Sequence, residues 1–175
     1  MDGHAVAMGI DPGLDGGIAL WDGSKLQLAV MPTIGTKGKG KRELDIWALS
    51  ALLTRWNVDS VHVYLERVAS MPKQGVASMF SFGYGYGAIN GILAAVCAPY
   101  TLVTPPTWQK PMIGLGHDDA KKVAAVRAKQ LFPGVDFLAT PRSKEPHSGL
   151  VDAALIAYYG RLHRLGRLGT LQPSS

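Results

Sequence analysis

Three carboxylates in this sequence sit where a negative charge is costly to keep. Asp11 closes an apolar run in which Val6, Met8 and Ile10 share one face, and Pro12-Gly13 turns the chain immediately afterwards. Glu66 closes a second run, Val61-His62-Val63-Tyr64-Leu65, whose alternation of β-forming residues predicts a strand. Asp152 lies among Val151, Ala153, Ala154 and Leu155, on the first turn of a predicted helix and close to its apolar face. A carboxylate in such surroundings is unfavourable as an anion unless a cation or hydrogen-bond donors meet it. Two of the three also have ordinary explanations, an Asx turn for Asp11 and dipole support of the helix for Asp152. The elements between them decide whether they belong together.

Residues 5–11, 17–22 and 26–31 read as three short strands joined by tight turns at Pro12-Gly13 and Asp22-Gly23, an antiparallel meander that opens a sheet. From Glu43 onward Leu44, Trp47, Ala48, Ala51, Leu52 and Trp56 recur at helical spacing. A helix between two strands is the crossover that sets them parallel, which brings Glu66 beside Asp11 at one sheet edge. Residues 75–97 predict a long helix of small residues. Its Gly83, Gly85, Gly87 and Gly91 each cost about 1 kcal/mol relative to alanine, so the close approach of another backbone or of a ligand is expected there. Residues 100–104 form a short strand stopped by Pro105-Pro106, with Trp108-Gln109-Lys110 in a turn or short helix. A basic-faced helix over 118–131, an irregular stretch over 134–147 and a final helix from Ser148 or Gly149 to Arg164 complete the chain. The expectation is one domain over residues 1–165 and a frayed tail over 166–175.

With 175 residues, 47% of them hydrophobic and 18% charged, the composition is that of a globular protein with one core. No apolar run reaches the roughly eighteen residues of a membrane span, and Met1-Asp2-Gly3-His4 does not open a secretory leader, which places the expected location in the cytoplasm. The single cysteine, Cys97, excludes a disulfide framework and a multi-cysteine zinc site; its small apolar neighbours predict a buried hydrophobe. A net charge of +5 and a pI near 9.4 favour a polyanionic partner, nucleic acid before an anionic membrane. Lys37, Lys39, Lys41 and Arg42 alternate with glycine in a segment that cannot pack, either a phosphate-contacting arm or a solvated linker. Lys110, Lys121, Lys122, Arg142 and Lys144 are the further candidates for phosphate contacts. Gly-Tyr-Gly-Tyr-Gly at 83–87 lacks the preceding strand and downstream acid of a dinucleotide loop, so no nucleotide cofactor is expected.

Taken together, Gly9-Ile10-Asp11-Pro12-Gly13, Leu65-Glu66 and Asp152-Ala153-Ala154-Leu155 resemble the RuvC family of Holliday-junction resolvases, in particular its bacteriophage branch and the related chloroplast resolvases. Met31-Pro32-Thr33, Met79-Phe80-Ser81-Phe82-Gly83, Thr104-Pro105-Pro106-Thr107-Trp108 and Gln130-Leu131-Phe132-Pro133 extend the resemblance over nearly the whole chain. It implies an α/β ribonuclease-H-like fold, with a five-stranded mixed sheet flanked by helices. It also implies a homodimer that binds four-way branched DNA and nicks two strands symmetrically with Mg²⁺ or Mn²⁺. Phosphodiester hydrolysis suits a pair of such ions roughly 3.5–4 Å apart, which activate water and neutralise the leaving oxygen. By the resemblance, Asp11 would bridge the ions, with Glu66 on one and Asp152 on the other. Many bacterial relatives carry an acid or histidine three residues before the last aspartate, where this chain has Gly149. His147 is then the candidate fourth catalytic residue, as a metal ligand or by positioning the attacking water, with Glu145 behind it and Ser148 as the helix cap. Phe80 and Phe82 serve core packing or a dimer interface before base stacking.

Two other readings share some of these features. A ribonuclease H cutting RNA–DNA hybrids uses similar carboxylates, and a junction-binding protein with weak catalysis is compatible with the unusual fourth position. A sugar-kinase or actin-like ATPase needs two such domains, for which the chain is too short.

Overall fold

Strand alternation sorts the core into two halves, with helices on either side. The computed structural model describes residues 5–36, 42–67 and 75–170. The chain opens with β1 (Ala7–Asp11), β2 (Gly17–Trp21) and β3 (Leu26–Val30), paired antiparallel in succession. A short ribbon of β4 (Thr33–Gly35) and β5 (Arg42–Leu44) follows, then α1 (Ile46–Arg55) and β6 (His62–Glu66). After α2 (Val76–Ala95) and β7 (Tyr100–Val103) come α3 (Pro105–Ile113), α4 (Ala120–Leu131) and α5 (Ser148–Arg164). The main sheet has the order β3-β2-β1-β6-β7, with β6 parallel to both β1 and β7. This is the five-stranded mixed sheet expected of a ribonuclease-H-like fold.

Because side chains alternate along a strand, Met8, Ile10, Val63 and Leu65 pack against Leu49, Leu52 and Leu53 of α1 and Ile89 and Leu93 of α2. Ala7 and Tyr64 face the other way, onto α5 backed by α3 and α4. Asp11 and Glu66 follow Gly9 and Tyr64 by two residues and therefore share the α5 face. The approach of that helix is close: a Cβ on Gly9 would fall on the backbone of Ala153 and Ala157. At the helix start, a Cβ on Gly17 would lie 2.7 Å from the Gly149 carbonyl oxygen, and one on Gly149 would collide with the backbone of Asp15 and Gly16.

Several expectations fail for local reasons. Trp47 is 83% exposed rather than part of the core face. The helix begins at Ile46, with the Asp45 side chain accepting from the Ala48 N–H at 2.9 Å. Leu44 belongs to β5, and counting it as helical rotates the predicted face away from Leu49 and Leu53. Ser148 is not the cap of α5: His147 occupies that position, and its Nδ1 accepts from the Leu150 N–H at 3.4 Å. Cys97 is exposed, at φ 53° in the turn that ends α2, so it is not a core hydrophobe. On α2, Gly83, Gly87 and Gly91 have no atom within 4 Å of an added Cβ, and Gly85 has only Leu44 at 3.9 Å. The close approach expected there is not made within the described chain. Arg42 lies in a strand and pairs with Asp15, whereas Lys37, Lys39 and Lys41 fall outside the described residues.

A candidate active site at the carboxyl edge of the sheet

Ile10 pairs with Leu65 in parallel register, so the next residues, Asp11 and Glu66, end adjacent strands that lie about 4.8 Å apart. The Asx turn expected for Asp11 is present, the Gly13 N–H donating to its Oδ1 at 3.2 Å. That bond does not compete with a role in chemistry, since it leaves Oδ2 and further lone pairs free. Asp152 descends to the same edge from α5. It is the fifth residue of that helix, just past the first turn on which it was expected and beyond the strongest reach of the helix dipole.

The three acids are half-buried, and each resists ionisation. Burial raises the Asp11 carboxyl above its ordinary value, opposed by the Gly13 N–H and by neighbouring His147. Burial, with repulsion from Asp11, lifts Glu66 to about 7 against the lowering effect of a hydrogen bond from Trp108. Asp152 is also lifted to about 7, by burial first and then by the charges of Asp11 and Glu66, with Lys121 pulling the other way. Mutual repulsion among buried carboxylates marks a place short of positive charge.

The sequence did not single out Trp108 as part of the site. β7 pairs with β6 so that Val103 lies opposite Glu66, and α3 starts two residues later. The buried indole is thereby brought over the strand end, where Nε1–H donates to Glu66 Oε1 at 2.8 Å. His147, at the start of α5, presents its ring to the same edge. With Nδ1 accepting the cap bond, the neutral ring carries its proton on Nε2 and offers a donor there. Among the described cations, Lys121 is one whose charge reaches Asp152. Lys110, Lys122, Arg142, Lys144 and the acid Glu145 are exposed.

Among the described residues, no group of three or more His, Cys, Asp or Glu side chains is gathered closely enough to hold a metal ion by itself. The acids stand instead as neighbours of Asp11, whose charge both Glu66 and Asp152 feel. Oxygen-only donors in this sparse arrangement fit Mg²⁺ or Mn²⁺, which are held by few carboxylates and keep positions for water and phosphate.

Sheet order and helix placement define an α/β protein of the ribonuclease-H-like fold. Among solved structures the chain is similar to RuvC of Thermus thermophilus, with 20% identity and a TM-score of 0.55 over 93% of this chain and 97% of that one. It is also similar to T. thermophilus RuvC in complex with Holliday junction substrate, with 18% identity and a TM-score of 0.59 over 94% and 98% of the two chains. No protein-family model matches the chain, and no curated protein matches it in sequence.

Proposed function

We propose that this chain is a divalent-metal-dependent endonuclease that resolves four-way and branched DNA junctions by paired phosphodiester hydrolysis. The observation that carries this reading is the meeting of Asp11, Glu66 and Asp152 at one edge of a sheet with the fold of RuvC, which has been solved on a Holliday junction. Asp11 would be shared between two Mg²⁺ or Mn²⁺ ions, with Glu66 holding one and Asp152 the other. Such ions, when bound, supply a nucleophilic water near neutral pH and positive charge at the leaving oxygen. The chain's own residues do the rest. His147 Nε2–H orients the water or a phosphate oxygen, a role its capping Nδ1 permits and one we prefer to metal ligation. Lys110, Lys121, Lys122, Arg142 and Lys144 draw in the DNA backbone.

We assign Lys37, Lys39, Lys41 and Arg42 to the same phosphate-binding set on their charge, Arg42 exchanging Asp15 for a phosphate on binding. A homodimer fits the open stripe of Gly83, Gly87 and Gly91 on α2, flanked by exposed Phe80 and Tyr84. The bacteriophage branch rests on the motifs that carry the resemblance, His147-Ser148-Gly149 being where this chain departs from the family's fourth position. A substrate of recombining DNA places the activity in the cytoplasm of a bacterium or an infected host. Among the described residues, no helix is long and apolar enough to cross a membrane.

The test is nicking of a synthetic four-way junction, a linear duplex and an RNA–DNA hybrid, with Mg²⁺ and with Mn²⁺. We expect paired nicks in the junction alone. Asp11→Asn should abolish them and leave junction affinity within about threefold, because binding rests on the cations. Preferential hybrid cleavage would transfer the assignment to a ribonuclease H, and tight binding without nicks to a junction-binding protein.

A further inference from the structure

Trp108 is the largest fully buried side chain in the protein, and its one polar atom is spent on a carboxylate at the sheet edge. A buried indole N–H needs a partner, and a backbone carbonyl would serve as well as an acid. Here the partner is Glu66, a half-buried residue that ends its strand beside Asp11. The ring itself is fixed by packing: it shares a core cluster with Met112 of its own helix, Ala124 and Ala128 of α4, and Val103 of β7. A fixed donor 2.8 Å from Oε1 selects one orientation of the Glu66 carboxylate and leaves Oε2 as the oxygen open to a cation.

The geometry points to Trp108 as a positioning residue that holds the Glu66 carboxylate ready for a divalent ion. This inference rests on the metal-site reading of the three acids. It adds that the site is preorganised from the half of the core on the α5 side, through α3, and not by the sheet alone. Without the N–H, Glu66 is free to turn, and both ordering and partial neutralisation of its charge must come from the ion itself. Hydrogen-bond partners of metal ligands typically contribute 10–100-fold to metal affinity.

The experiment compares wild type, Trp108→Phe and Asp11→Asn as full-length proteins. Mn²⁺ binding is measured by calorimetry in the absence of DNA, and junction nicking as a function of Mn²⁺ concentration. W108F retains an aromatic ring in the core and loses only the donor and part of the ring volume. We expect its Mn²⁺ midpoint to rise about tenfold in both assays, while the nicking rate at saturating Mn²⁺ stays within about threefold. A purely structural role would lower the active fraction and the melting temperature without moving the midpoint, and an unmoved midpoint overturns the inference while leaving the nuclease reading intact. Wild-type protein that binds no Mn²⁺ overturns the metal-site reading and this inference with it. A measurement that does not need the Trp108 variant guards against its failure to fold: in wild type the Trp108 indole N–H resonance should shift on addition of Mg²⁺, and in D11N it should stay still. An immobile resonance in wild type saturated with Mg²⁺ overturns the inference.

Discussion

Replacing Asp152 by asparagine is expected to strengthen the fold at pH 8 while ending nicking. The side chains are nearly isosteric, so the perturbation is the removal of a charge that burial, Asp11 and Glu66 all oppose. A carboxyl moved from 3.8 to about 7 carries about 4 kcal/mol of unfavourable ionisation once it is fully charged. The three acids share that strain, and some of it relaxes through water, so a gain of about 1–3 kcal/mol is expected for the single change. In a chain of this length that is a rise in Tm of about 3–10 °C. The sign follows from proton binding: between about pH 4 and 7 the folded state holds a proton that the unfolded state has released, so wild-type stability falls as pH rises through that window and levels off above it. The Tm advantage of D152N should therefore be small at pH 4, grow to about pH 7 and then stay constant. Thermal melts of metal-free protein across this range, with EDTA present, provide the assay. A D152N protein that melts below wild type at pH 8, or an increment independent of pH, would refute the electrostatic reasoning. Added Mn²⁺ should raise the Tm of wild type at pH 8 and do little for D152N.

Two further outcomes can be checked independently. Gly149→Ala should cost about 2 kcal/mol or more in stability, since its Cβ falls on the backbone of Asp15 and Gly16; an unchanged denaturation midpoint would show that the β1–β2 turn yields freely. Lys121→Ala should weaken junction binding severalfold and reduce the slope of log affinity against log salt by about one. An unaltered slope in a gel-shift titration would remove Lys121 from the phosphate-binding set.

Much of this architecture was legible because strands announce themselves by a period of two. Met8-Gly9-Ile10 and Val63-Tyr64-Leu65 place their apolar partners on one face, and the parity of that pattern puts Asp11 and Glu66 on the other. The crossover rule then made their strands parallel neighbours. Legibility ended where a boundary or a distant contact decided the outcome. One strand residue, Leu44, counted as helical was enough to turn Trp47 inward on paper and outward in the fold. The Trp108–Glu66 bond joins residues 42 positions apart, and no local pattern encodes it. Gly149 reads in sequence as a missing ligand. In the structure it is a place where no side chain fits, because the helix start rests on the turn after Asp11. The glycines of α2 contradict their helix locally, and the described chain offers no atom to explain them.

The contacts at Gly9, Gly17 and Gly149 are main chain against main chain, and this bears on how the protein tolerates change. The gap between Asp11 and Asp152 is gauged by peptide units, like two marks on a steel rule, and no rotamer stands between them. Exchanges elsewhere in the core can tune how firmly the molecule holds together without resetting that gauge. Bulk introduced at any of these three positions would pry the marks apart.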